Sequence, residues 1–504
     1  MRPLRKFLAC LAVTAAALAT AASIPAHADE PRGAAADAPQ VIPALRSWTG
    51  AEGSFHWSDG SRVVVDPQYD KQLHDEADTT AADLADLTGA KPEVVAGEPK
   101  SGDAYLTLGG DASLGDEGYT LDVGDSYVVH AKTDAGAFYG TRTLLQLLHQ
   151  SSDIPRGTAT DTPDKTERGL MVDVGRKYFS VGWLKKEIKD LAYAKLNYLH
   201  LHFSDNQGFR LQSDSHPEVM SDKYYTKDEI RDLVSLATEY HVTLVPEIDM
   251  PGHLTTVLAK HPELQLKDSS GNVDPSFIDL SKDDAYTLMS DLIKEYLPLF
   301  PGPYWHIGAD EYVSDYSKYP QLEEYAKKHY GDDATAKDTY YGFINWADKL
   351  VRDGGKSTRM WNDGIKDGDG TIAPNADIVV DYWSTKGIAP QKLLDAGHDV
   401  MNSSWTPTYY VLGGTGIDAR WLYEDWNADL FEKTLTIDDP ARNGGAAIHV
   451  WCDNPDAQTE DQVADGIRVA LRGLAQQTWN SPKLVDSYAD FATIDEAIGR
   501  APGW

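Results

Sequence analysis

The chain has 504 residues, with 46 Lys and Arg against 79 Asp and Glu, and a net charge of −33. Such an acidic chain repels nucleic acid and anionic membranes, so neither is expected as a partner. Its length exceeds one ordinary domain and suggests a large barrel plus a smaller module.

Residues 1–28 read as a signal peptide rather than as part of a fold. Arg2, Arg5 and Lys6 give a positive start, Phe7 to Ala22 is apolar, and Ala26-His27-Ala28 has the small-x-small pattern of a cleavage site. The apolar run is too short for a retained membrane helix. A secreted, extracellular protein is therefore expected. Loss of this segment removes three basic residues and no acidic ones, which deepens the charge to −36. Cys10 follows too short an apolar run to be a lipid-anchored cysteine, and it leaves with the leader. Cys452 is then alone, which excludes an internal disulfide and a cysteine metal site.

Residues 29–40, rich in Ala, Pro and Asp, read as a flexible leader. Residues 41–165 alternate short strands with helices. Val63–Val65, Tyr105–Leu108, Tyr119–Leu121 and Tyr127–Val129 have strand character, and Phe138–Gln150 carries apolar residues at helical spacing. This predicts a small α/β domain with few candidate catalytic groups. Ser151–Lys165, rich in Ser, Thr, Asp and Pro, reads as a linker.

From 166 to 504 the chain repeats apolar strand, polar loop and amphipathic helix. The strand candidates are Gly169–Val172, Tyr198–His202, Thr243–Glu247, Tyr304–Gly308, Thr358–Trp361, Ile378–Tyr382, Asp399–Asn402 and Ala446–Trp451. Helical patterns are clearest at Trp183–Leu196, Lys227–Tyr240, Asp284–Phe300, Tyr340–Arg352 and Thr459–Gln476. Eight parallel strands with helical crossovers predict a (β/α)8 TIM barrel, whose chemistry sits at the strands' C-terminal ends. Those ends carry Asp173 and Arg176, His202 and Asp205, Glu247, Asp249 and His253, Asp310 and Glu311, Trp361 and Asp363, Asp381 and Trp383, and Trp451 and Asp453. A solvated rim would explain the carboxylates of this set, including a plain loop opening at Asp310-Glu311. It does not explain three tryptophans, whereas a carbohydrate pocket needs aromatic faces with a few polar groups between them.

Other signals weigh less. His200-x-His202 has the spacing of a metal-binding pair, but no second histidine pair stands at another strand end, so a hydrogen-bonding role is expected and no catalytic metal. His253 is read as a pocket histidine from its position. Gly413-Gly414-Thr415-Gly416 lacks the strand-to-helix context of a phosphate loop, there is no Gly-x-Ser-x-Gly elbow, and no cofactor is implied. Carboxylate acid–base chemistry is left, and glycoside hydrolysis is its common use in a secreted barrel.

Residues 165–480 resemble glycoside hydrolase family 20, the β-N-acetylhexosaminidases. The resemblance is carried by Gly169-Leu-Met-Val-Asp173-Val-Gly-Arg176, His200-Leu-His202-Phe-Ser-Asp205, Pro246-Glu-Ile-Asp249-Met-Pro-Gly-His253 and His306-Ile-Gly-Ala-Asp310-Glu311. Trp361-Asn-Asp363-Gly and Val450-Trp451-Cys-Asp453 extend it, and Gly118–Leu121 with Gly136–Gly140 are similar in the small domain. The resemblance implies substrate-assisted catalysis, with the 2-acetamido oxygen as nucleophile. Glu311 would be the acid, Asp310 would orient the acetamido group, and Arg176 would grip the terminal sugar's outer hydroxyls. Trp361, Trp383 and Trp451 would form the walls, and Tyr409 (or the adjacent Tyr410) would bond the acetamido oxygen. Asp249 and His253 would lie near the acid. Glu311 should then have a raised pKa.

Two departures bear on the substrate. Exo-acting members usually carry Trp-x-Glu at the last strand, where this chain has Trp451-Cys452-Asp453, and the Tyr-x-Asp usual after the seventh strand is Tyr409-Tyr410-Val411 here. Release of terminal β-linked GlcNAc or GalNAc is the leading expectation, because Arg176 is kept. Release of a Gal-GlcNAc disaccharide is the first alternative, because the shorter Asp453 and the missing acid after Tyr409 would make room for a further sugar, and the lacto-N-biosidases of the same family resemble this pattern in having Asp there. A non-catalytic glycan-binding barrel is the second.

Overall fold

A computed structural model describes residues 37–504, so the signal-peptide reading and residues 29–36 of the expected leader lie outside the described residues. At the leader's described end Pro39 is buried and the Gln40 carbonyl accepts from Gln150 Nε2, so packing begins before residue 41.

The small domain is a seven-stranded sheet with helices Asp70–Thr88 and Asp134–Gln150. The expected strands are present. The stretch read as a linker is largely strand: Asp153–Asp161 pairs antiparallel with both Thr49–His56 and Tyr119–Val123. Ile154, Gly157 and Ala159 face inward while Thr158 and Thr160 face water. Its threonines therefore serve the solvent side of a half-buried strand, where β-branched residues fit well.

That strand ends on Asp161, a buried carboxylate that ties the small domain to the barrel. Oδ2 accepts from Tyr119 Oη at 2.6 Å and Lys195 Nζ at 2.9 Å, and Oδ1 from Trp479 Nε1 at 2.7 Å and Arg46 N at 3.0 Å. Lys195 and Trp479 belong to the barrel. With four donors on two oxygens, the desolvated charge is matched on all sides.

The barrel strands are Glu167–Asp173, Tyr198–His202, Thr243–Met250, Tyr304–Gly308, Ser357–Trp361, Val379–Tyr382, Val400–Asn402 and Asn443–Trp451. Each runs parallel to its neighbours, and the last pairs with both the seventh and the first, which closes the ring. A short extra strand, Tyr409–Val411, lies parallel beside the eighth. Inward-facing positions of such barrels are usually filled by branched apolar residues. Here polar side chains stand among the apolar ones, stacked in levels. Low in the barrel Arg359 pairs with Glu167 and Asp381. Above it His200, His306, His449 and Trp361 pack against one another. Among the described residues no helix is long and apolar enough to cross a membrane.

The helix after the first strand, Val181–Tyr193, packs against the last barrel helix, Glu460–Trp479, and the terminal helix Tyr488–Ile498. Arg472 reaches Asp190 at 2.7 Å and Asp495 at 3.5 Å across this seam. Glu187, buried beside them, is pushed up from 4.5 to about 8 by burial and by Asp190. A raised carboxyl binds its proton more tightly in the folded chain, so its contribution to stability falls as pH rises from about 4.5 to about 8. Glu187→Gln should therefore raise the melting temperature by a few degrees near pH 8 and change it little near pH 5. An equal gain at both pH values in thermal melts would contradict this protonation state.

Candidate active site

The fourth barrel strand ends in a left-handed turn. Gly308, Ala309 and Glu311 have φ of 70°, 68° and 45°. At Gly308 a Cβ would lie 1.8 Å from Asp249 Oδ1, so only glycine fits. Non-glycine residues in this region carry strain of order 1–3 kcal/mol each and persist only where the surroundings hold them. Here Ala309 N donates to the Met250 carbonyl at 3.1 Å, Tyr340 Oη donates to the Ala309 carbonyl, and Glu311 N donates to Asp363 Oδ2 at 3.0 Å. The turn sends the two neighbouring carboxylates to different places. Asp310 is buried at the pocket floor, with a side chain 12 % exposed, while Glu311 stands at the mouth, 46 % exposed.

His253 joins them. Its Nε2 lies 3.6 Å from both Asp310 Oδ2 and Glu311 Oε2, and its Nδ1 lies 3.5 Å from Asp205 Oδ1. Although burial opposes the charge, the surrounding carboxylates, Asp310 first, hold this imidazole well above its ordinary value of 6.5, so it is cationic. Burial, with repulsion from Asp310, pushes Asp249 well up, and burial also raises Asp310. Asp363, buried beside Asp310, is pushed up to about 7. The expectation of a raised Glu311 is not met in this open site. The His253 imidazolium 3.6 Å away, together with the charge of Lys386, holds Glu311 below its usual value against partial burial. The raised carboxyls Asp249, Asp310 and Asp363 are buried, and Glu311 is too open to water to join them.

The sequence-derived residues converge. Arg176, His253, Asp310, Glu311, Trp361, Trp383, Tyr409, Trp451 and Asp453 line one cavity of about 230 Å³, joined by Trp405. Trp361 is buried as its floor, with Nε1 donating to Glu247 Oε1 at 2.8 Å. Trp383 Nε1 donates to Asp363 Oδ1 at 3.1 Å, so Asp363 sets both an indole wall and the Glu311 backbone. The Tyr409 ring packs edge-on to His449 and Trp451 inside the cavity. Tyr410 turns away, and its hydroxyl accepts from Gln458 Nε2 at 2.7 Å. Strand alternation separates the two tyrosines, because neighbours point to opposite faces. Asp249 lies behind the cavity, next to His253 and Asp310.

At the other end Arg176 reaches Asp173 at 3.0 Å and Asp205 at 2.9 Å, with its guanidinium 5.2 Å from the Trp451 ring centre. Asp453 is 57 % exposed and 4.0 Å from Arg176, so it stands at the rim facing solvent. The pair His200 and His202 serves Glu247 instead of an exposed site, at 2.9 Å and 2.8 Å from its Oε2. His306 Nδ1 accepts from Gly308 N at 3.0 Å. Trp405 and Lys386 were not singled out from sequence. Trp405, 41 % exposed and packed edge-on to Tyr409, follows the seventh strand, where no periodicity marks it. Lys386 Nζ lies 3.7 Å from Glu311 Oε1 in a loop whose path is set only by packing.

Residues 167–480 match the glycosyl hydrolase family 20 catalytic domain, and residues 38–162 match domain 2 of the same family. A lacto-N-biosidase of Bifidobacterium bifidum is 33% identical over 473 residues, which are 92% of this chain and 42% of that protein. A beta-hexosaminidase of Porphyromonas gingivalis is 31% identical over 507 residues, 91% of this chain and 63% of that protein. The chain thus spans less than two thirds of either relative. The GH20 beta-N-acetylhexosaminidase structure from Streptomyces coelicolor A3(2) superposes with a TM-score of 0.74 at 26% identity, covering 92% of this chain and 97% of that one. A mutant Streptomyces plicatus beta-hexosaminidase in complex with its product GlcNAc gives the same TM-score and identity, with 92% and 96% covered.

The turn makes a testable demand on Gly308. Gly308→Ala should cost about 2–4 kcal/mol through the clash with Asp249 and the positive φ. Chemical denaturation measures it, and a loss below about 0.5 kcal/mol would show that the turn is not constrained as described.

Proposed function

The chain belongs to glycosyl hydrolase family 20, and from that premise we propose that it is a retaining glycosidase that releases terminal β-linked N-acetylhexosamine. The observation that carries the proposal is the split between adjacent carboxylates. Asp310 lies buried among Trp361, Trp383, Tyr409 and Trp451, while Glu311 stands half-open at the mouth. A retaining enzyme with its own nucleophile places two carboxylates on opposite sides of the bond, about 5–5.5 Å apart. Two carboxylates from one strand end suit a reaction whose nucleophile belongs to the sugar.

In the proposed reaction the aromatic cage holds the 2-acetamido group, with its oxygen beneath the anomeric carbon and Tyr409 Oη as its donor. Glu311 gives its proton to the glycosidic oxygen as the acetamido oxygen forms a bond to the anomeric carbon and the leaving alcohol departs. Asp310 faces the acetamido nitrogen and stabilises the positive oxazolinium. Glu311, now a carboxylate, takes a proton from water, whose oxygen attacks the anomeric carbon and reopens the ring with retained configuration. His253 sits between both carboxylates and supplies positive charge whenever both are ionised. Substrate covering Glu311 removes water from it and favours the neutral acid that the open site lacks.

Release of a Gal-GlcNAc disaccharide is the second reading. It is favoured by the exposed Asp453 at the Arg176 end, where a further sugar would extend, and by the similarity to the Bifidobacterium protein. The proposal includes export, on the strength of residues 1–28. A non-catalytic barrel would not need the strained turn at Glu311.

Chromogenic β-GlcNAc and lacto-N-biose glycosides, run side by side, test these readings. Glu311→Gln and Asp310→Asn should each lower kcat by about 10²–10⁴-fold on the preferred substrate. Unchanged turnover in either variant would refute its assignment, and turnover of neither substrate by the native chain would overturn the proposal. The pH profile has a definite sign. His253 holds Glu311 low in the free enzyme, so kcat/KM should fall with rising pH earlier than kcat does. Coincident alkaline limbs would mean that substrate does not raise the acid.

A further inference from the structure

The tripeptide His-Pro-Glu occurs twice, at 216–218 and 261–263, in the loops after the second and third barrel strands. Both copies adopt one conformation. The histidines have φ −134°, ψ 65° and φ −126°, ψ 59°, and each precedes a single 3-10 turn, Pro217–Val219 or Pro262–Leu264. The fold brings the two turns together outside the catalytic cavity. Glu218 Oε1 lies 3.1 Å from His216 Nδ1 and 2.9 Å from His261 Nε2, and the rings stand edge to face with centres 5.8 Å apart. One donor atom from each of His216, Glu218 and His261 lies within 4.8 Å of the other two.

We propose that His216, Glu218 and His261 bind one zinc ion that clasps these two loops together. Ligand atoms about 2.0–2.2 Å from a tetrahedral zinc stand roughly 3.3 Å apart, so shifts of a few tenths of an ångström admit the ion between the carboxylate and the imidazoles. The outer nitrogens carry a second observation. His216 Nε2 lies 3.3 Å from Asp291 Oδ2, and His261 Nδ1 lies 3.5 Å from Glu263 Oε1. Metal-bound imidazoles characteristically give their other N–H to a carboxylate, which fixes the ring and strengthens the ligand. Here His216 has that partner in Asp291, and His261 has a carboxylate, Glu263, 3.5 Å from its outer nitrogen. Two imidazoles and one carboxylate favour zinc over magnesium or calcium, which prefer oxygen alone.

The ligands are accessible, with side chains 18 %, 40 % and 21 % exposed for His216, Glu218 and His261. That leaves water as the fourth ligand. The nearby Lys282 is turned to Asp279 and the Glu263 carbonyl, so it does not occupy the site. The same two loops hold each other near the catalytic pocket, where Asn206 Oδ1 accepts from Thr255 Oγ1 at 2.6 Å and Ser276 Oγ at 2.9 Å. A zinc clasp farther out would stiffen the wall that carries His253.

The full chain, stripped with a chelator and then titrated with zinc chloride by calorimetry, tests the site. One zinc per chain with micromolar or tighter affinity is expected, with a melting temperature raised by several degrees. His216→Ala and His261→Ala should each weaken binding at least tenfold, and Glu263→Gln should weaken it about tenfold by loosening His261. Melts without zinc and hydrolysis of the chromogenic substrate verify that each variant is folded. Absence of saturable binding would overturn the proposal. So would zinc binding that survives the double replacement of both histidines, since the ion would then sit at another cluster.

Discussion

Glu247 is the group on which the site is built. Its carboxylate is fully buried inside the barrel, where an unmatched charge would cost several kcal/mol. It is matched from three sides, by His200 and His202 at 2.9 Å and 2.8 Å and by Trp361 Nε1 at 2.8 Å. The buried charge sorts the two imidazoles. His200 is lowered to about 4 by burial and stays neutral. Burial opposes the charge on His202 too, but Glu247 with Asp205 raises it well above its ordinary value, so it is cationic. The same carboxylate locks the Trp361 indole as the pocket floor.

From His202 the charges alternate outward. His202 lies 3.0 Å from Asp205, which is shared with Arg176 and His253, and His253 reaches the two carboxylates at the fourth strand's end. Each member has neighbours of opposite sign, so the chain of groups is satisfied only as a whole. Asp249 and Asp363 answer the remaining problem, that of several carboxylates in one dry space. Burial and repulsion from Asp310 raise both, so they need not be charged together with it. Of the adjacent pair it is Glu311, beside the cationic His253 at the mouth, that is held low.

The two domains meet through a comparable device. Asp161 closes the last strand of the small sheet and accepts from a lysine and a tryptophan of the barrel. A substitution there would leave a lysine buried without its partner, which is far more damaging than loss of a surface pair. The small domain thus steadies the barrel and leaves the aromatic-lined cavity to the barrel's own loops.

Much of this architecture was legible in the residues themselves. Strand and helix periods outlined the barrel, because apolar spacing follows backbone geometry, and the strand ends already named Arg176, His253, Asp310, Glu311, Trp361, Trp383, Trp451 and Asp453, which the fold gathers in one cavity with a tyrosine that only the family resemblance pointed to. Strand Asp153–Asp161 was hidden because its exposed threonines read as loop composition. The choice between Tyr409 and Tyr410, the inclusion of Trp405 and Lys386, and the meeting of two His-Pro-Glu turns needed the folded chain. So did the protonation pattern, in which Glu311 lies low and its buried neighbours high. Local sequence determines which faces of an element are apolar, whereas burial, charge pairing and the approach of distant loops are properties of the assembled barrel, and only tertiary structure decides them.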